Sequence, residues 1–337
     1  MMESEPPPNQ PESGAGILDV VTGMTIPEPV KKSILKALGR LIHGVVDIPV
    51  AWLEGVSDGI RAESEARRLV TIAAAEAAAK QIGEEPQLVR RAIARFGAKI
   101  VTQQKNIEQV SRLAIEYVSS QAQISAPNGE VSDDWLTRFA AVAENATTLD
   151  MQTHYGRILG GELLRPGSYD PATLNVLSLL SQQVARDFEQ LCRMSMVIQG
   201  RSMVMLSVSA LDNPHTTNNA ISDDNTKGEN LRPIGLNLAA LLGLRSAGLL
   251  ASLPDEEYPD LTEYFDNRLI PYAGSTIRFD GSEQIKVHGK ILWTNVMSLT
   301  RAGNELRSIL SLDPHEPYTS ALRDMMARAG VRLVIET

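Results

Sequence analysis

Cysteine, aromatic side chains and positive charge are all in short supply. Of 337 residues only Cys192 is a cysteine, so an internal disulfide and a multi-cysteine zinc or iron–sulfur site are excluded. Aromatics make up 4%; alanine and leucine carry the apolar content, which favours helices over sheets. The 32 basic residues are outnumbered by 41 acidic ones, a net charge of -9, which argues against a surface that coats nucleic acid. Residues Met1–Gly23 carry Glu3, Glu5, Glu12 and Asp19 but no lysine or arginine, so the positive start of a secretory signal is missing. The most apolar window, Leu41–Val56, is interrupted by His43, Asp47, Pro49 and Glu54 and is too short and polar to span a bilayer. The expected location is the cytoplasm, with peripheral contact at the inner membrane as a further option.

Catalytic signatures are missing as well. No Gly-x-Ser-x-Gly and no Walker loop occurs, and Gly160-Gly161 runs on into Glu162. His43, His154, His215, His288 and His315 are dispersed, none spaced to share a metal. Cys192 has no neighbouring histidine and reads as a core residue. No cofactor, no metal and no enzymatic activity is expected.

What the chain does have is helical periodicity. After an acidic tail with Pro6-Pro7-Pro8, expected to be disordered over residues 1–29, Ile34, Leu38, Leu41 and Val45 recur at helical spacing. They form one face of an amphipathic helix whose other face carries Lys32, Lys36 and Arg40, with Lys31 close by. Two readings stand: the helix docks on a bundle through its apolar face, or it lies on an anionic membrane through Lys31, Lys32, Lys36 and Arg40. An alanine-rich helix is expected over 60–82. The next helix carries Val89, Ile93, Phe96, Ile100, Gln103, Ile107, Val110, Ala114 and Tyr117, spaced four, three, four, three throughout. This heptad seam is expected to be buried either in a hairpin with the alanine-rich helix, over 60–123, or between subunits, with Gln103 its one polar position.

Ser132, Ser181 and Thr300 precede helical patterns and are expected N-caps. From Arg201 to Ala210 the pattern turns to strand-like alternation. The polar stretch 212–230 is expected to be a linker between a helical domain, 30–211, and a smaller domain, 231–337. In the latter, helix, strand hairpin, helix and terminal strand follow one another as in a winged helix. The expected architecture is mainly α: an N-terminal helical bundle with a long helical hairpin, plus a winged-helix-like α+β C-terminal domain.

The most distinctive segment runs from His154 through Tyr155, Ile158-Leu159, Glu162 and Pro166-Gly167-Ser168 to Thr173-Leu174. With Asp47–Gly55 and Leu299–Leu306, it resembles an uncharacterised bacterial family, the domain of unknown function 2806. Over the 154–180 segment alone the chain is also similar to the abortive-infection protein alpha group. The first resemblance implies no activity; the second implies a role in defence against phage. Read from its residues, the motif of Tyr155, Glu162, Pro166, Gly167, Ser168 and Thr173 is a helix end, a tight turn and a capped helix, with Glu162 bonding backbone donors at the next helix start, near Ser168.

The expected function is therefore that of a non-enzymatic interaction protein in phage defence or stress response, which oligomerises through helices and binds a protein partner or a membrane surface. The alternative is a nucleic-acid-binding regulator using the winged-helix-like domain. Residues 231–337 hold 11 basic and 13 acidic residues, the wrong balance for phosphates, so a nucleic-acid partner is not expected.

Overall fold

The computed structural model describes residues 21, 26–43, 86–121, 129–211, 231, 235–254, 256–257, 259, 268–281, 291–328 and 330–336. The alanine-rich segment 60–82, the 212–230 stretch and most of the 1–29 tail lie outside these residues. The described residues form nine helices and one antiparallel six-stranded sheet, a mixed α+β architecture in which helix predominates. The chain divides into two compact units, Met1–Leu174 and Asn175–Thr337.

The first unit is helical. Helix α1, Glu28–His43, buries Val30, Ile34, Leu38 and Leu41 against α2, α3 and α4. Helix α2, Pro86–Ser119, has 34 residues and proline in its first turn, where the missing N–H costs nothing. Helix α3, Asp133–Ala143, starts at Ser132, whose hydroxyl accepts from Trp135 N, and α4, Leu149–Leu164, starts at Thr148, which accepts from Met151 N. Trp135 stacks on Phe139 with centroids 5.0 Å apart, and Phe139 meets the edge of Tyr155 at 6.0 Å. Burial pushes the Tyr155 hydroxyl up to about 12.

The heptad seam on α2 is buried along only half its length. Val110 and Ala114 are inaccessible and Ile107 nearly so, yet Phe96 is 51% and Ile100 41% exposed. Length explains the difference. α4 has 16 residues to α2's 34, about 24 Å against about 51 Å at 1.5 Å per residue. The expected hairpin partner, 60–82, lies outside the described residues.

Along the buried half, α2 and α4 meet at glycines. A Cβ on Gly156 would stand 2.6 Å from Leu113 Cβ. One on Gly160 would stand 2.7 Å from Tyr117 Cδ1 and 2.9 Å from the Ala114 carbonyl oxygen. Small residues one turn apart let the two backbones approach.

Helix α5, Pro171–Leu179, spans the boundary between the units. In the second unit α6, Gln182–Cys192, is capped by Ser181. Two hairpins follow the same design. Strands β1, Met196–Ile198, and β2, Arg201–Leu211, are joined by Gln199-Gly200; β3, Ile270–Tyr272, and β4, Ser275–Asp280, by Ala273-Gly274. Both residues of each turn have positive φ (52° and 74°, 42° and 82°), the type I′ geometry whose twist matches the strands. Helix α7, Leu238–Ser246, is capped by Asn237 and packs on α6. Strand β5, Ile291–Ser298, leads into α8, Arg301–Arg307, capped by Thr300; α9, Glu316–Arg328, and β6, Arg332–Glu336, complete the unit.

The strand order is β5-β2-β1-β3-β4-β6. Strand β4 lies between β3 and β6, and β5 pairs with β2; the segment 282–290, which holds one arm of the expected wing hairpin, lies outside the described residues. The alternating segment at 201–211 pairs with β5 over eight positions, from Met203↔Ser298 to Leu211↔Ile291, and the shared ladder draws it into the second unit. The two units divide between Leu174 and Asn175. A bulge interrupts this ladder between Met205 and Ser207. The hydroxyl of buried Tyr318 repairs it, accepting from Met205 N at 3.1 Å and donating to Met205 O at 2.8 Å.

Candidate functional site

The motif expected from sequence closes the C-terminal end of α4. Glu162 is 2% exposed. One carboxylate oxygen accepts from Gly167 N at 2.6 Å and the other from Tyr169 N at 3.0 Å. Pro166 starts the turn, Gly167 takes φ +86° within it, and Ser168 donates its hydroxyl back to Arg165 O at 2.6 Å. Asp170 accepts from Ala172 N, and buried Thr173 donates its N–H to Asp170 O at 2.9 Å. Tyr169 completes the cluster: its carbonyl accepts from Trp135 Nε1 at 2.8 Å, and its ring lies over Gly161, where a Cβ would come within 2.8 Å. Tyr155 faces the aromatic core about two turns earlier. Five of the six motif residues are thus gathered around one turn, with Tyr155 apart from it, and both Glu162 oxygens are held by backbone donors. The arrangement is a clamp on chain direction, with each carboxylate oxygen bonded to a backbone donor.

The cations of α1 are not presented together. Lys31 lies 3.2 Å from Glu28, Lys36 2.6 Å from Glu130, and Arg40 pairs with Asp133. Lys36 also holds the Glu130 carboxyl below its ordinary value through its hydrogen bond. Among the described residues, Lys32 alone of the four lacks a carboxylate partner.

Among the described residues, an open apolar stripe lies on the N-terminal half of α2. Phe96, Ile100 and Val101 are 41–51% exposed. Beside them an open cleft of about 390 Å³ is lined by Arg95, Lys99, Thr102, Gln103, Asn106 and Glu144. Gln103, the polar seam position, donates to Glu144 Oε1 at 2.9 Å, and Asn106 donates to Glu144 O at 2.9 Å. The seam therefore passes from apolar burial, through an amide–carboxylate contact, to an open apolar stripe.

The second unit holds a polar cluster that sequence reasoning missed. Ser252 and Ser298 both donate to Glu257 Oε2, at 2.9 and 2.5 Å, while Arg201 lies 2.9 Å from Glu257 Oε1 and 3.0 Å from Ser298 Oγ. Burial raises the Glu257 carboxyl, but the hydroxyl bonds and the Arg201 charge outweigh it and hold it below the ordinary carboxylate range. The four residues are 97 positions apart at the extremes, so no local pattern announces them. The cluster fastens Ala251, Ser252 and Glu257 along the outer side of β5: Ser298 N bonds Ser252 Oγ, Ala251 N bonds Ser298 O, and Val296 N bonds Glu257 O. Cys192 is fully buried and its thiol is pushed far up by desolvation, which makes it a poor nucleophile. No cluster of three or more metal-ligating side chains, and no helix long and apolar enough to cross a membrane, occurs among the described residues.

Residues 90–323 match the model of a family described as a protein of unknown function (DUF2806), and the chain belongs to that family. The match runs from α2 into α9 and takes in both units. No curated protein and no solved structure matches the chain.

Proposed function

We propose that this chain is a non-enzymatic interaction protein that acts by association through the N-terminal half of α2. The observation that carries this reading is the open stripe of Phe96, Ile100 and Val101, which continues a heptad seam whose other half is already packed. Seam residues gain free energy only when a partner's side chains fill the spaces between them, and a contiguous exposed apolar patch marks a contact site. The biological setting we propose is bacterial defence against phage or the response to stress, resting on the similarity of the 154–180 segment to the abortive-infection group.

Binding to an anionic membrane surface is a weaker reading: it needs α1 released, and the apolar face of α1 is buried while three of its four cations are paired. A nucleic-acid-binding regulator with a winged-helix-like C-terminal domain is weaker still, given the excess of carboxylates over 231–337.

The test is the mass of the full chain in solution against that of a Phe96→Glu/Ile100→Glu variant. Both positions are exposed, so the variant is expected to fold as the parent does. An assembly at micromolar concentration that the variant loses supports the proposal, and loss of protection against phage in cells carrying the variant extends it to the setting. A variant that retains both assembly and protection sinks it.

A further inference from the structure

The two edges of the six-stranded sheet are treated differently. The outer side of β5 is covered by Ala251, Ser252, Glu257 and Pro259, to which its Thr294, Val296 and Ser298 groups are bonded. The other edge, β6, has only β4 beside it among the described residues. Which backbone groups it leaves open follows from the register. Tyr272 and Ser275 flank a two-residue turn and so exchange hydrogen bonds. Along β4 the direction then alternates, and Thr276, Arg278 and Asp280 face β6. Their partners are Glu336, Val334 and Arg332. It follows that Leu333 and Ile335 turn their N–H and C=O groups to the open side.

The side chains of this edge read Arg332-Leu333-Val334-Ile335-Glu336. Reversed and set against itself with Val334 opposite Val334, the strand matches Arg332 to Glu336 and Leu333 to Ile335. This register also puts Leu333 and Ile335, the residues with open backbone groups, directly across from each other. Sliding by two residues keeps the backbone bonds but loses the charge match. Arg332 makes no ion pair among the described residues, and Glu336 is held only loosely, 3.5 Å from Arg278. On the neighbouring strand Arg278 and Asp280 pair with each other, Nε 3.2 Å from Oδ1 and Nη2 donating to Oδ2 at 3.5 Å.

We propose that β6 is a docking edge for β6 of a second copy of this chain, the two strands pairing antiparallel about a two-fold axis at Val334. An open edge is a template for another strand, and a two-fold contact must be complementary to itself, which this strand is. The contact joins two sheets into one continuous sheet of twelve strands. It involves none of the α2 residues, so it stands or falls separately from the association proposed above.

The central Val334 pair would be a non-hydrogen-bonded one, with Cα atoms about 4.5 Å apart, close enough for a disulfide. The experiment therefore uses the full chain carrying Val334→Cys, oxidised with glutathione disulfide at micromolar concentration; buried Cys192 is the only other thiol. A covalent dimer is expected. In that background Arg332→Glu alone and Glu336→Arg alone each set like charges against each other, and each is expected to lose the dimer tenfold or more. Mixing the two restores opposite charges at both ends and should restore cross-linking. Ile335→Pro removes an N–H that faces the open side and leaves the ladder to β4 intact, so it should abolish the dimer in a folded chain. Absence of cross-linking in the Val334→Cys chain, or cross-linking indifferent to Ile335→Pro and to the charge changes, overturns the proposal.

Discussion

A methyl group added at the crossing of α2 and α4 should do the opposite of what the same methyl does elsewhere. Glycine within a helix costs about 1 kcal/mol relative to alanine, so Gly→Ala is stabilising wherever the new Cβ finds room. At Gly97, on the open half of α2, nothing lies within 4 Å of that Cβ, and Gly97→Ala is expected to stabilise the first unit by up to about 1 kcal/mol. At Gly156 the Cβ would meet Leu113 Cβ at 2.6 Å, the Leu113 carbonyl carbon at 3.1 Å and Ala114 N at 3.2 Å. Two of these are backbone atoms, so no rotamer change relieves the contact, and the helices must separate by most of an ångström. Overpacking of this kind costs about 1–3 kcal/mol. Less the propensity gain, Gly156→Ala should come out between neutral and destabilising by roughly 2 kcal/mol. Gly160→Ala meets the Ala114 carbonyl at 2.9 Å and should behave likewise. The double variant should fall short of the sum, because one separation of the helices relieves both contacts. Urea unfolding followed by Trp135 fluorescence, with Trp52 and Trp293 replaced by Phe, reports on the first unit. A midpoint for Gly156→Ala at or above that of Gly97→Ala would refute the close-crossing explanation.

Glu162→Gln keeps the shape of the clamp but replaces one acceptor with a donor facing a backbone N–H. Losing a charge-assisted bond and stranding a buried donor should cost about 2–4 kcal/mol; unfolding curves that overlay the parent's would show that the turn holds without the carboxylate. For Glu257 the folded-state pKa lies below its unfolded value near 4.5, so its contribution is fully present above that value and is lost as pH falls through the folded pKa. Glu257→Gln should therefore lower stability at neutral pH and flatten the dependence of stability on pH below about 4.5; an acid limb as steep as the parent's counts against the cluster.

Much of the helical unit was legible in the chain itself. Caps at Ser132, Ser181 and Thr300, the buried stripe of α1 and the clamp residues around Glu162 are matters of local spacing, since a cap or a helical face is set within a few residues. Even Gly156-x-x-x-Gly160, read only as part of a motif, carries its message in the sequence: two absent side chains one turn apart. Membership of the family was equally a property of sequence. Three things were decided only by tertiary structure. The heptad spacing of α2 runs evenly from Val89 to Tyr117, but which half is buried depends on the reach of α4. The strand at 201–211 alternates as any half-buried strand does, and nothing local says that its partner is 291–298 rather than a neighbour. The Arg201, Ser252, Glu257 and Ser298 cluster, like the open edge of β6, exists only because strand order places distant segments side by side. Short-range preferences are written into each stretch of chain, whereas pairing between strands is a choice among distant partners that the packed sheet makes as a whole.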